Sequence, residues 1–207
     1  MTGWTWQGER GLLRSFEGPL ADANASARGA SEALRTAAFP EVADIVPGAR
    51  TVLVELRPGA EPSDALVRAI EAEPPKAAAH VGALHEIAVT YDGEDLPAVA
   101  ALRRIRPEDV IDLHTSAEYT VAFIGFQPGF PYLIGLPEQL VVPRLSSPRV
   151  KVEWGSVAIA GEYTGIYPSA TPGGWRLLGY TDTVLFDPSR TPPALLAPGD
   201  RVRFVRA

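Results

Sequence analysis

The stretch FIGFQPGFPYLIGLPEQLVVPRLSSPRVKVEWGSVAIAGEYTGIYPSATPGGW, residues 123–175, holds proline, glycine and aromatic residues at a density that no single helix or strand requires. Gly125, Pro128, Gly129, Pro131, Gly135 and Pro137 interrupt regular structure, since proline lacks an amide donor and glycine frees the backbone. Phe126, Phe130 and Tyr132 stand among them, in a segment that reads as a loop. Two readings follow: aromatics turned inward to plug a core, or an ordered aromatic surface with something to hold. Short strands are predicted within and around the stretch, at residues 119–126, 150–154, 156–160, 175–180, 183–186 and 201–205. In the last, Val202 and Phe204 alternate with Arg201 and Arg203, as a half-buried strand requires. Many short strands broken by glycine and proline predict a barrel or sandwich.

The chain before this region has a different texture. Residues 5–7 and 11–16 read as strands about a turn at Gly8. Leu20, Ala23, Ala27, Ala30, Leu34 and Ala37 then recur three and four apart, the stripe of an amphipathic helix that Pro40 ends. Strands follow at 42–46 and 51–56, joined by Pro47-Gly48, with Val52, Val54 and Leu56 on one face. A second helix, capped by Ser63 or Asp64, turns Leu66, Val67 and Ile70 inward. The order β-β-α-β-β-α predicts a small antiparallel sheet with two helices on one face. Glu73-Pro74-Pro75-Lys76-Ala77-Ala78-Ala79 reads as a linker, which places a domain boundary near residue 80. Beyond it come a strand at 85–91, a short helix at 94–105 and another from Pro107 through Thr115.

With 46% hydrophobic and 21% charged residues the chain can bury a core and is not disordered. A net charge of −6 without a basic run argues against nucleic-acid binding. The absence of cysteine excludes a thiol nucleophile, a thiolate metal site and disulfides. The start, MTGWTWQGERGLL, has no basic segment leading into an apolar one, and no apolar run is long enough for a membrane span. A cytoplasmic protein is the expectation.

No phosphate loop, Gly-x-Ser-x-Gly elbow or His-Glu-x-x-His is present. His80 and His85 lack a third ligand, so no metal site is expected. His114 ends a helix just before the strand that leads into the aromatic segment. It reads either as a histidine favoured by the helix dipole or as one that bonds a substrate or partner. Arg144, Arg149 and Arg176 flank turns; they are solvated cations or forks for a carboxylate. Gly173-Gly174-Trp175 lets a ligand approach the backbone, or is a plain tight turn. These residues define a candidate site: His114 and Arg149 in catalytic roles, and Phe126, Phe130, Tyr132, Arg144, Gly174, Trp175 and Arg176 holding substrate or partner.

Several segments carry a family resemblance: GFQPGFPYLIGLP from Gly125, PRLSSPRVKVEWGSVAIAG from Pro143, TGIYP from Thr164 and PGGWRLLG from Pro172. DVIDLHTS from Asp109, PGDRVRF from Pro198 and EVADIVPGARTVLVEL from Glu41 add to it. The chain resembles the family of prokaryotic 5-oxoprolinase B subunits (carboxyltransferase domain, subdomain C and D), also called Kip inhibitor and allophanate hydrolase subunit 1. The family's Pro-Ala-Tyr turn stands here as Pro47-Gly48-Ala49. The resemblance implies an α+β chain: a small two-layer α/β domain over residues 1–80, then a cyclophilin-like β-barrel domain over 83–207. It implies ATP-dependent cleavage of 5-oxoproline to glutamate, with ATP used through the assembled complex. The implied partners are a biotin-dependent carboxyltransferase-like (Kip antagonist-like) subunit and a LamB/YcsF-like subunit. Alternatives are a carboxyltransferase half of a urea-degrading system and an inhibitor of a sensor histidine kinase.

Overall fold

A computed structural model describes residues 3–74 and 82–207. The expected linker falls from Pro75 onward outside the described residues, as does His80. Contacts divide the chain into two units, Met1–Val81 and Gly82–Ala207.

The first unit holds β1 (Trp4–Gln7), β2 (Gly11–Ser15), α1 (Leu20–Ala37), β3 (Val42–Pro47), β4 (Thr51–Leu56) and α2 (Asp64–Glu71). Its antiparallel sheet has the order β1-β2-β4-β3. Strand alternation puts Leu12, Val52, Val54 and Leu56 on one buried face, where Ala23, Ala27, Ala30 and Leu34 of α1 and Leu66 and Ile70 of α2 cover them. α1 ends at Ala37 and is capped by Ala38, two residues before Pro40, in the left-handed conformation with its amide bonded to Leu34 O. Ser63 caps α2 by accepting from the Leu66 amide. The buried Arg14 lies over the Phe16 ring and donates to the carbonyls of Ile70 and Ala72 at the end of α2.

The second unit comprises β5 (Leu84–Val89), α3 (Leu96–Arg103), α4 (Pro107–Ser116), β6 (Glu118–Ile124), β7 (Pro131–Ile134), β8 (Arg149–Val152), β9 (Ser156–Ala160), β10 (Tyr163–Ile166), β11 (Thr171–Gly173), β12 (Arg176–Tyr180) and β13 (Arg201–Arg206). Seven strands form one sheet in the order β12-β9-β10-β7-β6-β13-β5, and a bridge between Thr90 and Tyr180 brings its two ends together, so the sheet is a nearly closed barrel. β13 pairs in parallel with β5 and antiparallel with β6. Inward residues Ile87, Val89, Tyr119, Val121, Leu133, Val157, Ile166, Val202 and Phe204 fill it. α3 and α4 pack Leu96, Val99, Val110 and Ile111 against Ile159 and Leu178. β8 and β11 make a separate two-stranded ribbon.

Three local expectations change. The aromatic segment is not all loop, because Pro131–Ile134 is a barrel strand with Leu133 inside and Tyr132 outside. Residues 183–186 form no strand; a single bridge joins Phe186 to Ala194, and Pro188, Pro192 and Pro193 remove the donors a ladder would use. β10 and β11 were not anticipated. No helix of the described residues is long and apolar enough to cross a membrane.

The core of the first unit uses residues from Leu12 to Ile70, and those of the second use residues from Ile87 to Phe204. Each unit is therefore expected to fold alone. Residues 82–207 expressed by themselves should melt in one cooperative transition and protect their strand amides from hydrogen exchange. A molten, unprotected fragment would show that the two units form a single folding domain.

Candidate functional site

Gly165, on the outer face of β10, decides where the aromatic residues can lie. A Cβ there would meet Pro131 O at 2.8 Å, the Trp175 ring at 3.1 Å and the Phe130 ring at 3.2 Å. With only hydrogen at that point, Phe130 settles onto the sheet, 1% exposed, beside Ala158, Val152 and Tyr167. Its ring meets Tyr167 (5.1 Å), Trp175 (5.4 Å) and Phe126 (5.5 Å) edge to face. Tyr132 stacks on Phe123 at 4.2 Å. β9 is consequently buried along its whole length, by the barrel core on one side and this aromatic layer on the other.

Phe126 stands at the tip of the turn between β6 and β7. Hydrogen bonds from Gly125 N to Phe130 O (3.1 Å), from Gln127 N to Gly125 O (2.7 Å) and from Phe130 N to Gln127 O (3.1 Å) close the turn. Gln127 Nε2 donates to the Ser169 carbonyl and Ser169 Oγ donates to Gln127 Oε1, which ties the turn to residues after β10. Phe126 takes φ = 67°, a left-handed conformation that costs a bulky residue about 1–2 kcal/mol, and leaves its ring 62% exposed.

The opposite wall comes from residues 143–148 and the ribbon. Leu145 N donates to Gly174 O at 2.7 Å, and Arg176 Nε to Pro143 O at 2.9 Å, which fixes this loop against the Gly173-Gly174-Trp175 turn. The walls enclose a cavity of about 310 Å³ lined by Phe126, Phe130, Tyr132, Arg144, Leu145, Ser146, Pro148, Tyr167, Pro172, Gly173, Gly174 and Trp175. The Tyr167 phenol is pushed up in pKa, first by burial, and the Trp175 backbone bonds it. Gly173 is required beside it, because a Cβ would lie 2.5 Å from the Tyr167 hydroxyl. Arg144 is exposed and has no hydrogen-bond or ion-pair partner among the described residues. The cavity thus combines flat apolar walls, phenol hydroxyls and an uncommitted cation.

Of the residues singled out in the sequence, Phe126, Phe130, Tyr132, Arg144, Gly174 and Trp175 are brought together here. Arg176 is not a lining residue; it braces the loop. Arg149 is not a lining residue either. Nε binds the Glu94 carboxylate, Nη2 binds Asp95 at 2.7 Å, and Nη1 donates to Trp175 O at 3.3 Å. Asp95 also accepts from Leu177 N at 2.7 Å, so the guanidinium fastens the start of α3 to the back of the cavity wall.

His114 lies elsewhere, in the barrel interior, 0% exposed. Its ring stacks on Phe204 at 4.5 Å. Thr164 donates its hydroxyl proton to Ala158 O at 3.1 Å, so it accepts from His114 Nε2–H at 2.9 Å. Nδ1 accepts from the Tyr91 hydroxyl at 2.7 Å. Both ring nitrogens are satisfied in the neutral form, and burial pushes the imidazole down to about 3. The catalytic role read for His114 therefore has no exposed ring nitrogen to work with.

Sequence reasoning pointed to the Gly173-Gly174-Trp175 turn but missed Tyr167 as a wall and the Glu94–Asp95 clamp on Arg149. Tyr167 had a signal, since it lies in the quoted TGIYP segment.

Comparison with known proteins bears on this arrangement. The model of a family described as "Carboxyltransferase domain, subdomain C and D" matches residues 3–196. The 5-oxoprolinase B subunit of Escherichia coli O157:H7 is 47% identical over 181 residues, covering 84% of this chain and 82% of that protein. The protein of the same name from Bacillus subtilis (strain 168) is 52% identical over 124 residues, covering 58% of this chain, which spans about half (52%) of that relative. Among solved structures, TTHA0988 superposes with a TM-score of 0.85 at 41% identity, covering 96% of this chain but 40% of its own.

The buried imidazole predicts a pH dependence. Its folded value lies below the ordinary 6.5, so below about pH 6.5 the unfolded chain binds a proton that the folded chain refuses. The stability this contributes is complete above pH 6.5 and falls by up to about 1.4 kcal/mol per pH unit as pH drops toward 3. Urea unfolding at pH 7 and 4.5 is expected to show His114→Gln less stable than the parent at pH 7, with a smaller loss between the two. Equal losses would place the titrating group elsewhere.

Proposed function

The chain belongs to the carboxyltransferase domain, subdomain C and D family, and on that footing we propose that it is the B subunit of a 5-oxoprolinase whose substrate enters the aromatic cavity. The observation that carries this reading is the uncommitted Arg144 at a cavity of about 310 Å³ walled by Phe126, Phe130, Tyr132, Tyr167 and Trp175. 5-Oxoproline is a five-membered lactam bearing one carboxylate. Its flat amide suits aromatic walls, and its carboxylate suits a guanidinium fork that has no competing partner among the described residues.

The chain does not act alone in this reading. The cavity lining holds tyrosines and a serine but no base paired with a nucleophile, and His114, the histidine nearest in sequence to the aromatic strands, is sealed in the barrel. ATP phosphates do not suit the helix starts among the described residues either. Asp22 lies in the first turn of α1, Asp64 in that of α2, Glu108 and Asp109 in that of α4, and Asp95 stands just before α3. These carboxylates repel the anion that a helix N-terminus would otherwise attract. ATP use belongs in this proposal to the assembled enzyme, through a biotin-dependent carboxyltransferase-like subunit and a LamB/YcsF-like subunit.

Co-expression with such partners and an assay of ATP-dependent glutamate release test the reading. The assembly should turn over 5-oxoproline and the isolated chain should not. Arg144→Ala, which removes an exposed cation and no packing, is expected to raise KM about tenfold or more with the assembly intact. An unchanged KM, or substantial turnover by the single chain, would overturn it.

A further inference from the structure

We propose that the Tyr132 hydroxyl is the group that recognises the lactam, by donating a hydrogen bond to the ring carbonyl oxygen and so selecting 5-oxoproline over a saturated ring carboxylate of the same size. This rests on the cavity being the substrate site.

Tyr132 lines the cavity, and four other rings hold its own ring in place. It stacks on Phe123 at 4.2 Å with planes 11° apart, and meets Phe130 at 5.1 Å, Trp175 at 5.4 Å and Tyr163 at 5.7 Å. A side chain caged this way keeps its polar atom at a fixed point without further ordering cost. The hydroxyl at that point has no hydrogen-bond partner among the described residues. Three other phenols of this unit are engaged: Tyr91 with the His114 ring, Tyr119 with His114 O, and Tyr167 with the Trp175 backbone. Once a ligand covers the cavity and displaces water, a donor held between these walls is costly unless that ligand supplies an acceptor.

The chemistry of the lactam supplies it. Its carboxylate and its carbonyl sit on opposite sides of the ring nitrogen, so the ring offers two acceptors across its width. Arg144 is available for the first and Tyr132 for the second. Burial raises the ionisation of Tyr132 above its usual 10, so the phenol keeps its proton at neutral pH and remains a donor. A site built around a donor discriminates against a ligand lacking the acceptor, because the donor is then left buried and unpaired.

The full chain is titrated with 5-oxoproline and with cyclopentanecarboxylate, which keeps the ring and carboxylate but has no lactam, and binding is followed through the aromatic resonances by NMR. Tyr132→Phe preserves the ring stack and removes only the hydroxyl. It is expected to weaken 5-oxoproline about three- to tenfold while leaving cyclopentanecarboxylate unchanged. Arg144→Ala should weaken both. If Tyr132→Phe leaves the ratio of the two affinities unaltered while Arg144→Ala weakens both, the role of Tyr132 is overturned and the cavity reading stands. If neither ligand perturbs the cavity resonances of the parent chain, both fall.

Discussion

A neutral imidazole sealed inside the barrel is the constraint on which the second unit depends. His114 links α4 to Thr164 on β10 through one nitrogen and to Tyr91, just past β5, through the other, while Phe204 of β13 stacks on its face. Its backbone carbonyl takes the Tyr119 hydroxyl from β6. One residue thus joins a helix to strands from both halves of the sheet, next to the Thr90–Tyr180 bridge where its ends meet. Such a network is stabilising only when complete, since each buried polar atom left over costs about 1–3 kcal/mol.

A barrel held this firmly allows loops to carry the site. The cavity draws residues from the β6–β7 turn, the outer face of β7, the loop before β8, the residue after β10, and β11 with the turn that follows it. No single regular element could present aromatics from so many chain segments to one space. Short backbone bonds such as Leu145 N to Gly174 O, and the Arg149 clamp on Asp95 and Trp175 O, hold the loops to the sheet. Arginines that read as candidate ligands divide by this test: Arg149 and Arg176 are braces, and Arg144 alone of the three is uncommitted among the described residues.

How much of this was readable follows from what each feature depends on. α1 and the β2–β4 face were legible because their periodicity is local: Leu20 to Leu34 and Val52 to Leu56 announce their buried sides by spacing alone. The aromatic segment was legible as special because its composition is extreme. β10 was not, since Gly165 weakens its strand signal, and the reason for that glycine is a contact with Pro131 and Trp175. The fate of Arg149 was hidden because its carboxylates lie more than fifty residues earlier in the chain. The burial of His114 did leave a trace. Val110, Ile111 and His114 are spaced as one helix face, and all three are buried.

Phe126 brings stability and purpose into opposition at one position. Its left-handed backbone would be relaxed by glycine, which adopts that conformation without steric penalty, and so little of its ring is buried that a glycine would lose few contacts. Selection for thermal resistance alone would therefore favour removing this ring, and with it the mouth of the cavity.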